Sequence, residues 1–125
     1  MMKSLLLVGI GGAVGSMLRY LTAMLVNKYW QNAFPLATFL INMLGCLLIG
    51  ILMSIIEKQA GMSDNFRLLF VTGFCGGYTT YSAFAYENIS LLNSNQTLTA
   101  FAYIGVSVIA GLFFVWLGLI LGKQF

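Results

Sequence analysis

Apolar residues fill four stretches of the chain, about Ser4 to Val26, Phe34 to Ile56, Arg67 to Leu92 and Leu98 to Leu121, and polar residues gather between them. A bilayer crossing takes about 20 apolar residues in a helix. The pattern predicts one all-α membrane domain over residues 1–125, with four transmembrane helices joined by short connections. Pro35 stands at the start of the second stretch, where its missing N–H costs a helix little. Ala13-Val14-Gly15 has the look of a leader cleavage site, but apolar residues run on through Val26, past the length of a leader's core.

The third stretch departs from the others. Its centre reads Thr72-Gly73-Phe74-Cys75-Gly76-Gly77-Tyr78-Thr79-Thr80-Tyr81-Ser82. Each Gly costs about 1 kcal/mol of helix propensity against Ala. The three glycines therefore predict two half-helices joined by an unwound segment. Non-helical backbone at membrane depth is tolerated only where protein buries it or where it lines a cavity. In the first stretch, Gly11 and Gly15 have the GxxxG spacing that admits a close neighbouring helix.

Composition narrows the class. Charged residues are 7% of the 125 and apolar residues 60%, so the chain cannot coat a soluble globule. The net charge of +3 comes from scattered Lys and Arg, which gives nucleic acid no basic stripe to bind. There is no His, and Cys46 and Cys75 lie in apolar segments, where they read as small buried hydrophobes. No carboxylate falls mid-span: Glu57 and Glu87 are placed near span ends and Asp64 in a loop. A proton-coupled pump normally needs a buried acid.

The polar groups at membrane depth are hydrogen-bond donors, one cation and aromatic rings, an inventory that suits an anion. Asn42 reads either as a helix–helix hydrogen bond or as a donor to that anion. Arg19 lies about four residues past the middle of its span, close enough to snorkel to the interface, or else marks a functional site. Thr80, Ser82, Tyr103 and Ser107 add hydroxyls. Tyr81 and Phe84 share one helical face; they are packing, or they offer ring edges of partial positive charge to a small anion.

With Gly15-Ser16-Met17-Leu18-Arg19-Tyr20, Asn42 followed by Gly45, and the run from Thr72 to Phe84, the whole chain strongly resembles the CrcB/Fluc family of small fluoride channels. The resemblance implies a fluoride-selective passive channel, not an enzyme, that exports fluoride across the inner membrane of a prokaryote. It implies an antiparallel, dual-topology homodimer in the lipid bilayer with two pores. It also implies a central structural Na+ held by the backbone carbonyls of Gly76 and Thr79. By the same resemblance Asn42, Tyr81, Phe84 and Arg19 serve the pore, and the polar track continues at Tyr103 and Ser107, with Thr38 one turn before Asn42. The family usually has Phe where this chain has Tyr81, and relatives can carry a further hydroxyl where it has Gly111.

Two other readings remain at this level. A small dual-topology proton-coupled cation or drug antiporter would need a mid-span carboxylate. A non-transporting assembly subunit would explain the GxxxG spacing but not a broken third helix rich in hydroxyls.

Overall fold

The computed structural model describes residues 1–59, 61 and 63–125, and no strand occurs among them. Helix α1 is Met2–Tyr29 and α2 is Leu36–Lys58, starting directly after Pro35. Residues 64–78 form α3. It is α-helical over Asp64–Phe66, π-helical over Arg67–Cys75 and α-helical again over Gly76–Tyr78. Helix α4 is Tyr81–Asn93 and α5 is Thr97–Gly122.

Three helices, α1, α2 and α5, are long and apolar enough to cross a membrane. At 1.5 Å per residue, α3 and α4 each reach only about 20 Å, short of the roughly 30 Å hydrocarbon core. They meet end to end across the extended residues Thr79 (φ −81°, ψ 159°) and Thr80 (φ −147°, ψ 121°).

Local signals set the helix ends. The Ser63 side chain caps α3 by accepting from Phe66 N at 3.3 Å. The α4–α5 turn places Asn95 at φ 63°, a left-handed conformation that Asn tolerates. There Gln96 N donates to Leu91 O at 2.8 Å and Asn95 N to Leu92 O at 3.3 Å, the paired bonds of a Schellman stop. Lys58 Nζ donates to the carbonyls of Lys123 (2.8 Å) and Phe125 (3.2 Å), tying the end of α2 to residues just past α5.

Small residues bring two helix pairs together. On α1, a Cβ added at Gly11 or Gly15 would collide with the backbone of α3 at Leu69 or Phe74. On α2, a Cβ at Gly50 would strike the backbone of α5 at Val115, and one at Gly118 would strike Leu47. Such faces let helices approach where lipid removes the hydrophobic drive for association. Buried side chains are correspondingly few, and large apolar ones such as Leu5, Met17, Leu98, Ile109 and Leu112 face outward.

The helix break differs in position from the glycine-based expectation. Gly73, Gly76 and Gly77 are all helical. A Cβ at Gly73 would lie 2.9 Å from Val8 O, and one at Gly77 would lie 2.5 Å from Gly12 O. These two glycines keep the helix and use their missing side chains to admit α1. The chain instead extends at two β-branched threonines, and the Thr80 hydroxyl takes over the Ala83 N–H.

Candidate functional site

The break is held from α2. Asn42 Nδ2 donates to Thr80 O at 3.0 Å, and Asn42 Oδ1 accepts from Thr80 N at 2.9 Å. Three residues on, Gly45 clears space for the Thr79 methyl, which a Cβ there would overlap. One face of α2 thus carries both the residue that binds the break and the one that makes room for it. Thr79 Oγ1 donates to Cys75 O at 2.9 Å, and Thr80 Oγ1 accepts from Ala83 N at 3.3 Å, capping α4.

These side-chain bonds redirect the main chain. In an unbroken helix Thr80 N would bond the Gly76 carbonyl and Ala83 N the Thr79 carbonyl. Thr80 N goes to Asn42 and Ala83 N to the Thr80 hydroxyl, which releases both carbonyls from those helical bonds. A Cβ added at Gly76 meets nothing within 4 Å, so this point of the break faces open space.

That space is a groove of about 500 Å3. Asn42, Gly76, Thr79, Thr80, Phe84 and Ser107 line it, as does Tyr81, and no carboxylate does among the described residues. Ser107 Oγ is buried without a hydrogen-bond partner. Tyr81 stands 80% exposed, its ring 5.9 Å from that of Phe84. Ser82 is exposed, with Oγ 3.5 Å from Thr80 Oγ1.

Thr38 and Tyr103 are brought to a different partner. Thr38 Oγ1 donates to Glu87 Oε2 at 2.6 Å, and Tyr103 OH donates to Glu87 Oε1 at 2.9 Å. Tyr103 is fully buried and Thr38 nearly so. Each carboxylate oxygen therefore has its own hydroxyl donor. Glu87 is the residue that sequence reasoning missed, because it was placed at a span end. It is the central residue of α4, which starts at Tyr81 and ends at Asn93. The available signal was its spacing, three residues after Phe84 on the same face.

Arg19 is not drawn into this assembly. It is partly exposed on α1, does not line the groove and makes no hydrogen bond or ion pair among the described residues. The two cysteines are free, and no group of three or more His, Cys, Asp or Glu residues occurs among the described residues. Carbonyl oxygens are the donors the break exposes, and they suit a hard cation.

The chain is similar to known proteins along nearly its whole length. A family model described as CrcB-like protein, Camphor Resistance (CrcB), matches residues 6–119. A protein of Flavobacterium psychrophilum named fluoride-specific ion channel FluC is 52% identical over 123 residues, covering 98% of this chain and 99% of the relative. Proteins of the same name are 42% identical in Azobacteroides pseudotrichonymphae, over all of both chains, and 42% identical in Chloroflexus aurantiacus, over 99% of this chain and 98% of the relative.

Proposed function

This chain belongs to the CrcB family, and on that basis we propose that it is a fluoride-specific ion channel of a bacterial inner membrane, passive and without enzymatic activity. The observation that carries the reading is the groove at the break, which gathers amide, hydroxyl and aromatic groups with no carboxylate in its lining among the described residues. Fluoride leaving water loses hydration that only partial positive charges can replace. One Asn42 Nδ2 hydrogen is spent on Thr80 O, and the second is free to meet the ion. Thr80, Ser82 and Ser107 offer hydroxyls, and Tyr81 and Phe84 offer ring edges. Thr38 and Tyr103 extend the polar track only when their hydroxyls turn from Glu87, to which both donate here. Arg19 lies outside the groove, so any part it has in the pore is electrostatic and at a distance.

No energy coupling is required. Hydrofluoric acid enters a cell neutral and ionises inside, and the inside-negative potential drives the anion out with about 2.3 kcal/mol per charge per 100 mV. An antiporter finds no support, since the relatives carry channel names and Glu87 is bonded by two hydroxyls outside the groove.

The working unit is an antiparallel homodimer with both orientations in the bilayer. A single protomer leaves its ion-binding groups on an open groove, and a second copy across a two-fold axis would close it. Gly76 and Thr79 of both copies would then present four carbonyls to one central Na+. Their release from helical bonding and the open space at Gly76 support this arrangement. The ion, when bound, supplies positive charge and cross-links the subunits.

Purified protein in liposomes is the test. Fluoride should leave down its gradient with little chloride loss and without a proton gradient. Equal rates for the two anions would overturn the reading. Labelling of a terminal tag should find both orientations in cell membranes.

A further inference from the structure

Beyond the groove, a row of rings runs from the break to the start of α2. Tyr81 meets Phe84, Phe84 meets Tyr103, Tyr103 meets Phe34, and Phe34 meets Phe39. Tyr103 is held edge-to-face by two of them. Its centroid lies 4.9 Å from Phe84 at 61° and 5.2 Å from Phe34 at 72°.

Phe34 is anchored more firmly than a connection residue needs to be. Its carbonyl accepts from Trp30 Nε1 and from Leu36 N, both at 2.8 Å, and the next residue is Pro35. Thr38 follows Phe34 by four positions and bonds the same carboxylate as Tyr103. The segment 34–38 therefore fixes the Tyr103–Glu87 pair twice, through a ring and through a hydroxyl.

We propose that Phe34 is a positioning residue that sets anion specificity by holding the Tyr103 ring, and so its hydroxyl, in place on Glu87. The proposal rests on the fluoride reading and deepens it. Tyr103 is fully buried with rings on two sides, which restricts the rotamers open to it. Removing the Phe34 ring frees χ1 of Tyr103, lets the hydroxyl leave Glu87 and opens space beside Phe84. A larger, more weakly hydrated anion such as chloride gains most from that space.

The experiment measures fluoride and chloride efflux from liposomes for wild type, Phe34→Leu, Phe34→Tyr, Tyr103→Phe and the double variant Phe34→Leu/Tyr103→Phe. Wild type that fails to release fluoride selectively defeats the functional reading itself, before Phe34 enters. Given a selective wild type, Phe34→Leu should lower the fluoride/chloride ratio by about tenfold, the upper range of one aromatic pair. Phe34→Tyr, which keeps the ring, should restore it. In the Tyr103→Phe background no hydroxyl remains to be placed, so Phe34→Leu should change the ratio less than about twofold. An equal drop in both backgrounds, or an unchanged ratio in Phe34→Leu, overturns the proposal. Should Phe34→Leu not fold, Phe34→Met fills the site with a flexible, unbranched chain that adapts to irregular gaps and carries the same expectations.

Discussion

Asn42 and Thr80 are joined by two hydrogen bonds, amide to carbonyl at 3.0 Å and N–H to amide oxygen at 2.9 Å. One side chain thereby satisfies both backbone groups of an extended residue in the groove wall. Asn42→Ala leaves both unpaired, at about 1–3 kcal/mol for each group. Thr80→Ala removes only the α4 cap, worth about 1 kcal/mol. Thermal unfolding in detergent should rank Asn42→Ala well below Thr80→Ala, and equal midpoints would mean that the break holds itself.

Adjacent glycines should respond in opposite ways. Gly77→Val drives a side chain into the α1 backbone at Gly12 and should prevent the protomer from folding. Gly76→Val meets open space in the protomer. It should retain helical circular dichroism yet run as a monomer in size-exclusion chromatography. A stable, conducting Gly76→Val dimer would remove the carbonyl cage from the two-fold axis.

Phe84→Ile keeps an apolar side chain but loses the ring contacts with Tyr81 and Tyr103, about 0.5–1.5 kcal/mol for each pair. If the ring edge solvates the ion, the variant remains folded and loses fluoride efflux. Normal efflux would make the ring packing only. Tyr81→Phe removes a hydroxyl that has no hydrogen-bond partner among the described residues, so efflux should stay within about twofold of wild type, judged on the scale of an exposed substitution of under 0.5 kcal/mol.

Glu87→Ala strips the acceptor from two hydroxyls, Thr38 and Tyr103. Each is left to bear about 1–3 kcal/mol of unpaired burial. Tyr103→Phe in the same chain should recover part of that loss, giving a coupling of about 0.5–3 kcal/mol in a double-mutant cycle of melting data. Strict additivity would show that the hydroxyl and the carboxylate do not act as a unit.

The all-helical class and the interruption of the third apolar stretch were legible because hydropathy and local chemistry both point to them. The place of the interruption was not. Intrinsic propensity makes glycine a helix breaker, whereas contact with α1 makes Gly73 and Gly77 helix-packing residues, and only the partner helix reveals which applies. Thr80 carried a usable signal, a capping hydroxyl followed by a helical run. Asn42 was legible as a deep polar group, but its target lies 38 residues away. Glu87 was hidden because its hydroxyl partners, Thr38 and Tyr103, lie 49 and 16 residues away in the chain, and Arg19 stood out by charge although the fold leaves it away from the groove.

The two glycine-mediated pairs, α1 with α3 and α2 with α5, join helices that are not consecutive in the chain. Synthesis delivers the N-terminal helices first. The small-residue face of α2 at Gly50 and Ser54 meets Gly118 and Gly122 of α5, the last helix of the chain. A chain truncated before Thr97 would keep the α1–α3 pair and lose the α2–α5 pair, leaving that face of α2 open to the wrong neighbour.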